Sequence, residues 1–281
     1  MNNIRKRKAG ILLAALALCA VWSAAPLKAA ESVEALKVWN GLNGWGDVSI
    51  KPFSDTALQI PLVPAPVSAE VSIGGGGLKV YFVTVGQGDA EYIELPNGKN
   101  VLIDGGPARM NGGPAGGPSP GGVPPIADFL TMKGVKKLDY VLLTHPHADH
   151  YTGLKYVFAN LPVANFYDTQ LDSNPSSIAA IREQARNVPG IKVSYPAPGD
   201  SLDWDPNVQV KVFNSCPVPS ATSRDPNSCS IVLRMTYQNT SVLFTGDMPS
   251  GVEAKIVAQY GDQLRSYVLK VGHHGSSGSS S

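Results

Sequence analysis

Residues 143–150 read LTHPHADH, which places three of the chain's five histidines and one aspartate within a few positions of each other. The run that leads into it, LDYVLLT at Leu138–Thr144, is apolar enough for a strand buried on both faces. The cluster therefore sits where a buried strand emerges into a loop and feeds a helix, and loops at strand ends are where sites are built. Pro146 holds the chain extended, so His145 and His147 can point to one place, while Asp149 and His150 at the helix entry can serve a neighbouring one. Imidazole and carboxylate are donors that zinc-like divalent ions accept at roughly 2.0–2.2 Å. Two such ions roughly 3.5–4 Å apart could clamp the attacking and leaving oxygens of a hydrolysis. A lone buried histidine is ordinarily a hydrogen-bonded core residue, whereas four such donors on one short loop point to metal binding. The other two histidines, His273 and His274, follow the apolar run SYVLKV and precede a Gly/Ser-rich stretch, so all five lie at strand ends.

Outward from this cluster, short β-rich runs (LKVYFVTV, AEYIEL, NVLIDGG) are separated by GQGD and by PNGK, the latter carrying the Asn-Gly signal of a tight hairpin. Gln87 and Asp89 read as turn-formers. A Gly/Pro-rich insert occupies residues 111–122 and reads as a surface loop. Helical patterns at IADFLTMKG, YTGLKYVFAN and SSIAAIREQAR alternate with strands at VANFYDT, IKVSY and VQVKVF; Ser176 or Ser177 is the expected cap of the third helix. SIVLRMTY, TSVLFTGD, a helix near Gly251–Tyr260 and the strand SYVLKV close the chain. Hairpins mixed with β-α units predict an α/β fold in which helices cover sheets.

Arg5, Lys6, Arg7 and Lys8 precede an apolar run from Ile11 to about Ala25 that ends in small residues, the pattern of a signal peptide over residues 1–30. That run is too short to span a bilayer and no second candidate follows, so the expected location is secreted or periplasmic, without a membrane span once the signal is cleaved. Residues 31–77, Pro-rich and ending in four glycines, read as an extension and linker, and residues 78–281 as the catalytic domain. Cleavage after Ala29 would remove five of the 23 cations and none of the 22 anions, leaving 18 against 22. Such a mildly acidic chain does not support broad non-specific nucleic-acid binding. Cys216 and Cys229, thirteen positions apart, could close a disulfide loop in an oxidising compartment or remain two buried thiols.

His-x-His-x-Asp-His after a hydrophobic strand resembles the signature of the metallo-β-lactamase superfamily, and the resemblance runs from about Leu78 to the chain end. It implies a four-layer αββα sandwich. It implies that Asp104, in LIDGG, braces the ligand loop. Asp247, in SVLFTGD, would be shared by two ions, and His274, in HHG, would be the last ligand, with His273 contacting substrate or exchanging roles with it. TVGQGDA, NSCSIVL and LKVGHHGSSGS further resemble the hydrolase domain of ComEC competence proteins and the secreted phosphorylcholine esterases, with Asn227 as a substrate-contacting or ordinary loop residue. On this resemblance His145 and His147 hold the first ion, Asp149, His150 and His274 the second, and Asp247 bridges. The cofactors would be two divalent ions, Zn2+ or alternatively Mn2+. The expected substrate is a small-molecule or polymeric ester, foremost a phosphodiester. Asp149, Asp247 and His273 would act in catalysis. Alternatives are a lactone or β-lactam hydrolase and a non-catalytic, metal-retaining module of the cell surface.

The sequence departs from the family in two places. Residues 151–272 contain no histidine, so the usual third ligand of the first ion is missing, leaving water, substrate, Asn227 or His273 to complete it. The chain also stops seven residues after His274, where the family continues through further elements, so a C-terminally truncated sandwich is expected.

Overall fold

In the computed structural model the described residues are 36–39, 45–48, 50–52, 69–73, 77–109, 123–171, 175–217 and 225–280. The signal-peptide pattern and the 111–122 insert lie outside them. The strands are β1 (Leu36–Trp39), β2 (Trp45–Val48), β3 (Ile50–Pro52), β4 (Ala69–Ile73), β5 (Leu78–Phe82), β6 (Glu91–Glu94), β7 (Asn100–Ile103), β8 (Leu138–Leu142), β9 (Val163–Tyr167), β10 (Lys192–Ser194), β11 (Val208–Asn214), β12 (Val232–Tyr237), β13 (Thr240–Phe244) and β14 (Val268–Leu269). The α-helices are α1 (Pro125–Met132), α2 (Ala148–Tyr151), α3 (Leu154–Asn160), α4 (Pro175–Arg186) and α5 (Ser250–Tyr260).

Eight strands form a larger sheet in the order β10-β9-β8-β7-β6-β5-β4-β3, and four form a smaller one, β11-β12-β13-β14; β1 and β2 make a separate antiparallel pair. The layers follow from side-chain alternation. On β7, Val101 and Ile103 face the smaller sheet, where they meet Leu233, Met235, Val242 and Phe244 in one apolar core. Leu102, between them, faces the opposite way into a second core with Ile126, Phe129, Leu154 and Ile178 of the helices. β8 is buried at every position because it lies between these two cores. On the far side, Val232 and Leu243 pack against Ile256 of α5. Helices, sheet, sheet and helix thus make the four-layer αββα sandwich. Among the described residues no helix is long and apolar enough to cross a membrane.

The local expectations hold with four differences. β4 pairs antiparallel with β5, and β3 with β4, so the larger sheet begins inside the segment read as a linker. The helix expected over 151–160 is divided between α2 and α3 at Gly153. A Cβ there would lie 1.9 Å from the Gly105 carbonyl oxygen, and only glycine permits that approach. α4 starts at Pro175, so Ser176 and Ser177 fall within its first turn rather than at its cap; Ser177 Oγ instead meets the Tyr151 hydroxyl at 2.6 Å. SYVLKV yields only the two-residue β14, parallel to β13.

Candidate metal centre

The centre is built by the chain just beyond the ends of β7, β8, β13 and β14. Asp104, the residue after β7, is fully buried with φ +56°. Its Oδ1 accepts the Thr144 N–H at 2.7 Å, and its Oδ2 accepts the Thr144 hydroxyl at 2.7 Å and lies 2.8 Å from His150 Nδ1. Asp104, for which the resemblance implied a bracing role, thus contacts both Thr144 and His150 of the ligand loop.

These contacts fix the imidazole tautomers. Because the Thr144 hydroxyl donates to Asp104, it can only accept from His145 Nδ1, 3.0 Å away, which leaves the His145 Nε2 lone pair free. That Nε2 faces His147 Nδ1 at 3.1 Å. His150 likewise turns Nδ1 to Asp104, and its Nε2 is buried without a hydrogen-bond partner.

Asp247, three residues past β13, meets these nitrogens from the smaller sheet. Its Oδ2 lies 3.3 Å from His150 Nε2, 3.4 Å from His274 Nε2, 3.7 Å from His145 Nε2 and 3.8 Å from His273 Nε2. Its Oδ1 is buried and unpartnered, and its N–H donates to Ser230 Oγ at 3.1 Å. Asp149 Oδ2 lies 3.3 Å from His274 Nε2 and 4.0 Å from His150 Nε2. His273 and His274 occupy left-handed backbone at φ +49° and +53°, a conformation that costs an ordinary residue on the order of 1 kcal/mol or more. The His273 N–H holds the turn by donating to Gly246 O.

Two donor groups result, His145, His147 and Asp247 in one, and His150, Asp247, His274 and Asp89 in the other. The converging ring nitrogens and the orphaned Asp247 oxygen are what a pair of divalent cations would satisfy. Asp89, expected to be a turn-former, is in addition buried and lies 3.2 Å from His274 Nδ1 through Oδ1, with Lys270 Nζ 2.5 Å from its Oδ2. Asn227 is buried, but its Oδ1 has no partner and no hydrogen bond joins its side chain to the histidines. Its carbonyl accepts the Ser230 N–H at 3.1 Å, which closes its own short turn. Cys216 and Cys229 are joined by a disulfide beside Leu171. A cavity of about 430 Å3 opens next to Asp149, walled by Gln87, Pro107, Arg109 and Thr152.

Without a cation, protons on the imidazoles would balance the carboxylates of the centre. Burial lowers the pKa of His145 far below the usual histidine value, helped by the nearby His150, so His145 is neutral. For His150 burial also opposes charge, but Asp104 and Asp247 outweigh it and hold the proton on. His274 is likewise penalised by burial, yet Asp149, Asp247 and Asp89 push it up to about 11. Asp247 remains ionised despite burial, because His150 and His274 hold its pKa well below the carboxylate range. Cations entering this site must displace the His150 and His274 protons, so affinity should rise with pH, about tenfold per unit for each proton displaced. Titration with a divalent cation in weak buffer between pH 6 and 8 should acidify the solution; no proton release and a flat affinity would contradict this.

Among known proteins, the sequence profile of the metallo-β-lactamase superfamily matches residues 83–278. The chain is 30% identical over 207 residues to ComE operon protein 3 of Bacillus subtilis, covering 72% of this chain and 26% of that protein. It is 30% identical over 159 residues to competence protein ComA of Neisseria gonorrhoeae, covering 56% and 19%. The chain thus spans about a quarter or less of the length of these relatives. Among solved structures, the metallo-β-lactamase fold protein YhfI from Bacillus subtilis shares 16% identity at a TM-score of 0.40, covering 60% of this chain and 62% of that one. With the profile spanning most of the chain and the histidine cluster, Asp247 and His274 all falling inside it, this protein belongs to the metallo-β-lactamase superfamily of hydrolases.

Proposed function

We propose that the protein is an extracytoplasmic phosphodiesterase with a dinuclear centre of zinc-type ions. The observation that carries this reading is the position of Asp247 Oδ2, within 3.8 Å of ring nitrogens from both histidine clusters. His145 Nε2 and His147 Nδ1 would hold the first ion and Asp149, His150 Nε2 and His274 Nε2 the second, with Asp247 shared. The mixed imidazole and carboxylate set suits zinc, with manganese as the alternative. When bound, such ions supply Lewis acidity, drawing the pKa of water toward neutrality and stabilising charge that develops on oxygen.

The chain's own residues orient and select. Asp104 and Thr144 fix the ring nitrogens that His150 and His145 present. His273, whose side chain is 40% exposed, faces the centre from the solvent side, where Nε2 can pass a proton to the leaving oxygen. Among the described residues Arg109 is the cation lining the cavity beside Asp149, and Ala108 and Thr152 shape the wall it stands on: Thr152 Oγ1 accepts the Ala108 N–H at 2.7 Å and donates to Ala148 O at 2.6 Å. A guanidinium at that place favours an anionic ester, because it pairs with phosphate oxygens. Export is supported by the N-terminal signal pattern and the Cys216–Cys229 disulfide.

The test is a panel of a chromogenic phosphodiester, phosphomonoester, lactone and β-lactam. Chelator-sensitive turnover of the phosphodiester is expected, and Arg109→Met should raise its KM roughly tenfold while leaving kcat within a few-fold, the loss of about one charged hydrogen bond. An inert phosphodiester beside a cleaved lactone or β-lactam would replace this reading, and ion binding without turnover of any ester would favour a binding module.

A further inference from the structure

Asp89 and Lys270 form a buried ion pair to which the proposed chemistry gives no part. Asp89 lies on the loop between β5 and β6, and its carbonyl accepts the Gly106 N–H at 2.8 Å, which ties it to the loop carrying Asp104. Its neighbour Gly88, at φ +130°, passes so close to α2 that a Cβ would lie 2.1 Å from the Asp149 carbonyl oxygen. The loop is therefore seated directly against the ligand segment. Lys270 follows β14. Its N–H donates to Leu243 O at 2.9 Å and its carbonyl accepts the Thr245 hydroxyl at 2.7 Å, pinning it to the segment that presents Asp247. Its Nζ reaches Asp89 Oδ2 and also donates to Val271 O at 2.9 Å.

We propose that Asp89 and Lys270 are positioning residues for His274: Asp89 accepts the Nδ1–H and so reserves Nε2 for an ion, while Lys270 holds Asp89 back from the ligand set. Asp89 is close enough to the histidines to serve as a ligand itself. Two observations assign it the other role. It meets His274 at Nδ1, at 3.2 Å, whereas Asp149 and Asp247 both meet Nε2, at 3.3 and 3.4 Å. The two nitrogens of one imidazole point in different directions, so the acid on Nδ1 and the acids on Nε2 do not share an ion through that ring. The other Asp89 oxygen makes no hydrogen bond of regular geometry, but the Lys270 ammonium lies 2.5 Å from it, and a unit positive charge at that distance repels a second cation approaching the same oxygen. The arrangement parallels Asp104 behind His150, so each imidazole of the second ion would be backed by a carboxylate at Nδ1. Outer partners of this kind typically change metal affinity 10–100-fold when removed. The inference rests on the dinuclear reading above.

The test is titration of the full chain with cobalt(II), followed by bound-metal stoichiometry and visible absorption, in wild type, Asp89→Asn, Lys270→Met, Lys270→Arg, the Asp89→Asn/Lys270→Met double variant and His274→Ala. Asp89→Asn should bind one ion roughly 10–100-fold more weakly, yet at saturation retain two ions and the wild-type band positions. Lys270→Met should weaken the same ion and Lys270→Arg should largely restore it. Each neutralising single variant leaves a buried charge unpaired and should unfold at a lower temperature. The double variant removes both charges and should recover much of that stability, while its metal affinity stays weak. Loss of one ion in Asp89→Asn, with bands matching His274→Ala, would make Asp89 a ligand and overturn the proposal. Unchanged affinity in every variant alongside lowered stability would make the pair purely structural, and also overturn it. Wild type binding no ion would overturn the dinuclear reading and this inference together.

Discussion

Asp247→Ala is expected to lower kcat/KM on a phosphodiester by about 10³-fold or more and to remove both bound ions, since Lewis-acid stabilisation by such ions is worth several kcal/mol. The size of the effect follows from position. One carboxylate oxygen faces His145, His150, His273 and His274 at 3.3–3.8 Å, so no other side chain can replace it for one group without vacating the other. It is also the negative charge on which His150 and His274 converge, and they hold its pKa well below the carboxylate range. Asp247→Asn keeps the size of the side chain and the N–H bond to Ser230 Oγ, and separates charge from shape. Metal content and steady-state kinetics on both variants decide the matter. Two retained ions with activity within tenfold of wild type would end the shared-ligand reading.

Asp104→Ala should be the most damaging change to the fold itself, costing about 3–5 kcal/mol, the usual penalty for removing one partner of a buried charged pair. Three bonds disappear together, those from Thr144 N, Thr144 Oγ1 and His150 Nδ1. Alanine at φ +56° also strains the backbone, which asparagine tolerates far better. Asp104→Asn should therefore lose less. For a chain of this size the alanine variant should unfold on the order of 10 °C below wild type. Measured in chelator, the loss reports on the fold alone; a shift of under about 2 °C there would show that Asp104 braces nothing without ions.

Much of this was legible because it is local. The alternation on β7, β12 and β13 and the apolar run of β8 gave strands their positions, and four ligand-type side chains in LTHPHADH announced the centre before any contact was known. The pairing of strands into two sheets depended on the resemblance, since no local pattern states which strands adjoin. What escaped reading depends on contacts distant in sequence. Asp89 in GQGD does form a turn, with Gly86 and Gly88 at positive φ, but its chemistry comes from His274, 185 positions away. The division at Gly153 likewise comes from Gly105, not from its own neighbours. Lys270 did carry a signal. It shares the strand face of Val268, which packs into the inter-sheet core, and a lone cation on that face asks for a buried acid.

The donors of the proposed centre are divided between the sheets, His145, His147, Asp149 and His150 following β8 of the larger one, Asp247 and His274 following β13 and β14 of the smaller. Neither half holds a full set, so an ion captured between them works as a rivet as well as a reagent. By mass action a free ion at a hundred times its dissociation constant adds about 2.7 kcal/mol to the folded state. On this account, starvation for the ion would do more than idle the enzyme. It would loosen the seam of the sandwich and expose the chain to proteolysis, so that one nutrient would govern both the protein's turnover number and its lifespan.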